Sequence, residues 1–253
     1  MNQKKAMTKN IATHPLLSVL RDQKAAGLKG SIYHKTQVCL TYNSNHIEGS
    51  QLTEEQTRLI FETNTLGLTA DNVVRVDDVV ETMNHFRCID FVIDTAEEVL
   101  SEAYIKRLHA LLKSGTSDSR REWFAVGDYK RLPNEVGGRA TSLPEEVAAD
   151  MQLLLSDYHA QEPKTFNTLL DFHVRLERIH PFQDGNGRVG RLVMFKECLH
   201  NGIIPFIITD DLKLFYYRGL HEWGHVDKYL TDTCLSAQDS YRAMLEQLRI
   251  PIS

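Results

Sequence analysis

An all-α domain with one small β-hairpin is the fold class this sequence predicts, and three observations predict it. Apolar residues recur at helical spacing, as in Leu169, Phe172, Leu176 and Ile179. Helix-start signals are frequent. Turn residues cluster in a single stretch, Gly127 to Ser142, where Pro133-Asn134 and Gly137-Gly138 bracket short segments.

The elements follow in order. Thr53 with Gln56 three residues later forms a capping-box pattern that opens a helix. Ser101 precedes an apolar series at Ile105, Leu108, Leu111 and Leu112, again a capped helix start. Pro144, followed by Glu145 and Glu146, sits where a first helical position favours proline and then acidic residues. A helix is expected from Thr165 to Ile179 and another from about Gly187 to Leu199, the second with Leu192, Phe195 and Leu199 on one face and Asn201-Gly202 as its stop. Between these two core helices lies the loop 180–186, and the turn-rich stretch 127–142 is expected to form the hairpin. There is no internal repeat. Residues 1–62 read as an N-terminal segment packed on the same globule, residues 63–253 as the main domain, and the first ten residues as disordered.

Composition narrows the classes. The 253 residues are 42% hydrophobic and 25% charged, ordinary for a globular chain, and the net charge of −5 gives no general attraction to nucleic acid or anionic membranes. Neither partner is expected, so any phosphate chemistry must use a local cationic cluster. Cys39, Cys88, Cys198 and Cys234 are far apart and form no CxxC pair, which argues against a disulfide framework or a zinc ribbon. The start, Met-Asn-Gln-Lys-Lys-Ala-Met-Thr-Lys-Asn, has no apolar stretch behind its lysines, and the run Ile203 to Ile208 contains Pro205, so a cytoplasmic protein without leader or membrane span is expected.

The chemistry concentrates in His180-Pro-Phe-Gln-Asp184-Gly-Asn-Gly187-Arg188-Val-Gly-Arg191. Gly185 and Gly187 remove side chains where backbone must approach a ligand, just before a helix whose free N–H groups favour an anion. Phosphate fits that description. Arg188 and Arg191, three apart, project from the same side of the helix start and can neutralise a polyphosphate. Asp184 supplies a carboxylate for a bridging Mg²⁺, and His180 is a general-base candidate because its ordinary pKa of about 6.5 leaves it largely neutral at neutral pH. Asn186, Val189 and Gly190 complete the phosphate-binding run.

This string resembles the signature HPFxDGNGRxxR of the Fic-domain family, matched at every fixed position, and the similarity extends from roughly Val73 to Leu248 through His173-Val-Arg-Leu-Glu177-Arg-Ile-His-Pro and Tyr216-Tyr217-Arg-Gly-Leu220. The resemblance implies a protein adenylyltransferase that moves AMP from ATP, with Mg²⁺, onto a Tyr, Thr or Ser hydroxyl. In it His180 deprotonates the hydroxyl, Asp184 holds the metal, residues 185–187 form the anion hole, and Arg188 and Arg191 hold the β- and γ-phosphates. It also makes the hairpin a flap, with Val136, Gly137, Gly138 and Arg139 lining nucleotide and protein substrate by strand pairing. Tyr216 and Tyr217 become candidates on the adenine side, and self-association as a homodimer is implied by the resemblance alone. Ser44-Asn-His-Ile-Glu48-Gly49 resembles the family's inhibitory motif, on a helix of about residues 31–49. There Glu48 would pair in bidentate fashion with Arg191 and Gly49 would cap the helix. Transfer of another nucleotide and removal of AMP are alternatives within the family.

One motif points elsewhere. His221-Glu-Trp-Gly-His225 matches the HExxH of zinc peptidases, whose two histidines need one continuous helix. Gly224 interrupts it, and Gly224-His-Val-Asp227 reads as a turn between two helices, so the peptidase ranks below the transferase.

Overall fold

The computed structural model describes residues 15–68 and 73–251. Ten α-helices form among them: α1 (Pro15–Ala26), α2 (Ile32–Ile47), α3 (Glu54–Thr63), α4 (Val76–Thr95), α5 (Glu102–Lys113), α6 (Val147–Ala160), α7 (Phe166–Ile179), α8 (Asn186–His200), α9 (Lys213–Glu222) and α10 (Lys228–Gln247). Strands β1 (Glu135–Val136) and β2 (Arg139–Ala140) pair antiparallel, Glu135 opposite Ala140 and Val136 opposite Arg139. The hairpin is thus shorter than the turn-rich stretch that announced it. The first ten residues lie outside the described residues.

The start signals act as their chemistry requires. Thr53 and Gln56 form the complete capping box of α3, and Ser31, Ser101 and Thr165 each accept a backbone N–H at the starts of α2, α5 and α7. Pro144 starts a turn instead of the helix proper: Val147 N–H donates to Leu143 O at 3.2 Å and α6 begins at Val147.

Helix α8 is the centre of the bundle, packed by α2, α4, α5 and α7. The apolar face expected on it understates its burial, because even Lys196 and Glu197 are inside, paired at 2.6 Å. Their mutual charge neutralisation is what makes an interior position tolerable. Leu16, Leu40 and Ile47 from the N-terminal helices share one core with Leu108, Leu170, Val193 and Tyr241. Close approach of α7 to α8 depends on Gly190, where a Cβ would lie 2.8 Å from Glu177 Oε1 and 2.8 Å from His173 Cε1. No helix of the described residues is long and apolar enough to cross a membrane.

Candidate active site

The loop between α7 and α8 is closed by its own side chains. His180 ends α7 in the left-handed region, φ 52°, with its N–H on Leu176 O at 2.9 Å. Gly185, φ 85°, is the N-cap of α8, a backbone conformation that favours glycine. Between them the Asn186 amide bridges one residue twice, Oδ1 accepting from Phe182 N–H and Nδ2 donating to Phe182 O, both at 2.8 Å. The side chain of Asn186 thus braces the loop, leaving any phosphate contact by this residue to its backbone. Val189 is wholly buried and Gly190 lies against α7, so both pack α8 into the bundle.

His180 Nδ1 is 3.3 Å from Glu177 O. A carbonyl can only accept, so Nδ1 carries the proton and the Nε2 lone pair is the free base. Burial pushes the imidazole down to about 4, despite the bond to Glu177 O, so the ring is neutral at neutral pH. Its neighbour Glu177 is partly buried, with Oε1 inaccessible and without a hydrogen bond, and desolvation raises that carboxyl to about 7.

The expected anion hole contains a protein carboxylate. Arg191 Nη2 donates to Glu48 Oε1 at 2.7 Å and to Ser44 O at 2.8 Å, while Nε donates to Ser44 Oγ at 3.0 Å. The pair was expected to be bidentate; a single Glu48 oxygen engages, and Ser44 takes the Nε donor and the second donor of Nη2. Burial disfavours the Arg191 charge, and Glu48 more than offsets this, holding the guanidinium above its usual range. A Cβ on Gly187 would collide with Glu48 Oε1, so the carboxylate lies directly on the glycine backbone at the start of α8. Glu48 itself is the C-cap of α2, and Gly49, φ 96°, is the left-handed residue after it.

Beside this lies a second charged cluster that sequence reasoning did not assemble. Arg188 donates to Asp184 Oδ2 at 3.2 Å and to Glu81 Oε2. Lys113, 2% exposed, donates to the same Asp184 oxygen at 2.6 Å and to Glu81 Oε1. Burial would raise the Asp184 carboxyl, but Arg188 and Lys113 prevail and hold it below the usual carboxylate range. Lys113 and Arg188 engage Asp184 Oδ2 and both Glu81 oxygens, while the other oxygen of half-exposed Asp184 carries no ion pair and is the one open to a cation. No group of three or more metal-ligating side chains is present among the described residues. The cluster opens onto a cavity of about 200 Å³ that Glu48, Asp184 and Arg188 also line.

The hairpin docks on the loop through Lys130, Leu132 and Asn134. Lys130 N–H donates to Pro181 O at 2.8 Å, and its ammonium binds Asn134 Oδ1, Thr141 Oγ1 and Ile179 O at 2.7, 2.6 and 3.3 Å. Asn134 Nδ2 donates to Phe182 O at 3.0 Å and Leu132 N–H to Gln183 Oε1 at 3.2 Å. Val136, Gly137, Gly138 and Arg139 are all exposed at its tip. From the other side His109 holds the loop: its Nδ1 accepts from Gly127 N–H at 2.9 Å, so its Nε2–H donates to Asp184 O at 3.1 Å. The ring also stacks on Phe182 with centroids 4.0 Å apart.

Tyr216, expected on the adenine side, is 1% exposed, with its hydroxyl 2.5 Å from His173 Nε2, and lines a small cavity with Ser44 and Arg191. Tyr217 stays accessible and donates to Ile47 O at 3.3 Å. The HExxH motif is broken as its glycine suggested: α9 ends at Glu222, Gly224 has φ 94°, and His221 Nε2 meets Arg139 of the hairpin at 2.5 Å.

Helical bundle, hairpin and glycine-rich loop together define a class. Residues 99–198 match the Fic/DOC family. It is 29% identical over 217 residues to the protein adenylyltransferase Fic of Drosophila virilis, covering 83% of this chain and 40% of the relative. Against the protein of the same name from Nematostella vectensis it is 27% identical over 191 residues, covering 74% and 43%. The chain thus spans about two fifths of the length of these curated relatives. Among solved structures, a Fic-domain-containing signaling protein from Bacteroides thetaiotaomicron superposes with a TM-score of 0.76 at 22% identity, covering 94% of this chain and 98% of that one. Fic-1 from C. elegans (aa134–508) gives 0.70 at 18% identity, covering 94% and 72%.

Proposed function

We propose that this chain is a protein adenylyltransferase that transfers AMP from ATP to a protein hydroxyl and is held inactive by Glu48. The observation that carries the reading is the position of the Glu48 carboxylate, an anion seated on Gly187 at the start of α8 and paired with buried Arg191, where the resemblance puts the γ-phosphate. The helix start, Arg188 and Arg191 bind and orient the triphosphate. His180 Nε2 takes the proton of the attacking hydroxyl as its oxygen bonds to the α-phosphorus, the bond from that phosphorus to the bridging oxygen breaks, and pyrophosphate leaves. An extended stretch of the target pairs with the exposed edge of the hairpin, which positions the hydroxyl by main-chain bonds. A divalent ion, when bound, would be held by Asp184 and would neutralise charge on the phosphates.

Keeping the chain about 99% inhibited requires only ~2.7 kcal/mol of preference for the Glu48–Arg191 arrangement. Glu48→Gly is therefore expected to raise transfer up to about a hundredfold. Adding His180→Ala should cost roughly 10²–10⁴-fold. Incubation of Glu48→Gly protein with α-labelled and γ-labelled ATP, alone and with cell lysate, tests the reading. Label kept on protein from the α position alone supports it, whereas label from the γ position alone means phosphorylation and overturns it.

A further inference from the structure

Lys130 places a positive charge in the interior without an acidic partner. Its ammonium is 3% exposed and pairs with no carboxylate among the described residues, and burial pulls it down to about 8. An apolar side chain would fill the same space without the cost of taking a charge out of water. What the ammonium supplies instead is three donors for three acceptors, drawn from two separate parts of the chain. Asn134 Oδ1 at 2.7 Å and Thr141 Oγ1 at 2.6 Å stand just before β1 and just after β2, while Ile179 O at 3.3 Å precedes His180. The main chain adds a fourth link, Lys130 N–H to Pro181 O at 2.8 Å. One residue thus grips both feet of the hairpin and the carbonyls on either side of the base. His180 needs such a hold, because at φ 52° it is a non-glycine residue in the left-handed region, which persists only where the surroundings impose it.

We propose that Lys130 is a positioning residue, which ties the target-binding hairpin to the carbonyls flanking His180 so that the acceptor hydroxyl and Nε2 keep one separation. This rests on the adenylyltransferase reading. A target held by main-chain bonds to the hairpin goes where the hairpin goes, so the placement of the hairpin is the placement of the hydroxyl. Two strands of two residues each are at best marginally stable by themselves and need an anchor outside the pair. The ammonium is that anchor, and it makes hairpin and base one body. Triphosphate binding belongs to the start of α8, Arg188 and Arg191, so loss of Lys130 shows in the transfer step and not in nucleotide affinity.

Initial rates of label transfer from α-labelled ATP to the proteins of a cell lysate, at fixed lysate concentration, are compared for Glu48→Gly protein and for the same protein carrying Lys130→Met. The expected result is a kcat lowered by about tenfold or more, with the KM for ATP unchanged to within about threefold. A smaller fall in kcat, in a variant shown to be folded by a cooperative thermal transition, overturns the proposal. So does a KM for ATP raised beyond that range, which would make Lys130 part of nucleotide binding. Either outcome leaves the adenylyltransferase reading intact, whereas absence of transfer by the Glu48→Gly parent overturns both. Should Lys130→Met not fold, Thr141→Val in the Glu48→Gly background decides, since it removes one of the three acceptors from a partly exposed position. There kcat is expected to fall by about threefold or more at an unchanged KM, and a smaller fall overturns the proposal.

Discussion

Arg191 meets Glu48 and Ser44 together, so the lock should weaken in steps. A buried hydrogen bond to a charged group contributes about 1.5–3 kcal/mol, and Ser44→Ala removes the one to Oγ at 3.0 Å while leaving the main-chain contact. Basal AMP transfer is expected to rise roughly tenfold, less than for Glu48→Gly, in a labelled-ATP assay. His180 makes a separate expectation. With its imidazole near 4, kcat/KM should stay level from about pH 8 down to about pH 5, where a histidine at its ordinary value would already have lost activity. A fall centred near 6.5 would contradict the buried neutral base. The sequence disclosed His180, Glu48 and Arg191 because each stands at a fixed place in a short string. Lys113 and Glu81 were not legible, since they lie 71 and 107 positions from the residues they bind and nothing local marks them. The same holds for Lys130 and His109. The burial of Tyr216 was not legible either, because a tyrosine pair looks alike whether one ring faces the core or the cleft.

Among the helices, spacing and caps disclosed α3, α5 and α7 with small errors at their ends, because those signals act within four residues of the boundary they set. Helix α8 was found in place but mistaken in character. Its interior Lys196 and Glu197 make the sequence look amphipathic, and only the packing of helices on all sides explains their burial. The crossing of α9 and α10 gives an element-scale test. A Cβ on Gly219 would lie 2.6 Å from Leu230 Cα and 2.8 Å from Leu230 N, against backbone that cannot yield. Gly219→Ala is expected to destabilise the protein by about 1–3 kcal/mol, read as a lower denaturation midpoint with an unchanged slope.

For the whole molecule, buried titratable groups set how stability follows pH. Burial lowers His85 and His173 to about 3 and His109 to about 4. The unfolded chain therefore takes up protons first below about pH 6.5, and stability is lost as pH falls from there toward the folded values. Glu177 opposes this. Its folded value is raised to about 7, so its contribution is present below about 4.3 and lost as pH rises through 7. Glu177→Gln removes the opposing group, and the rise of the unfolding midpoint between about pH 4.5 and 6.5 should steepen, by at most about 1.4 kcal/mol per pH unit. A slope equal to that of the parent would mean that Glu177 titrates as an exposed carboxylate.

The double bridge from the Asn186 amide to Phe182 also governs how the molecule ages. Asparagine followed by glycine is the dipeptide most prone to deamidation, because the glycine nitrogen can fold back onto the side-chain carbonyl carbon. Here Asn186-Gly187 is wound into the first turn of α8 with the amide 3% exposed and both of its ends engaged, so that attack is blocked while the loop stays folded. Each opening of the loop lifts the protection, and the aspartate left behind could no longer donate to Phe182 O. Slow appearance of a one-dalton-heavier, more acidic species would thus act as a clock for excursions of the active-site loop.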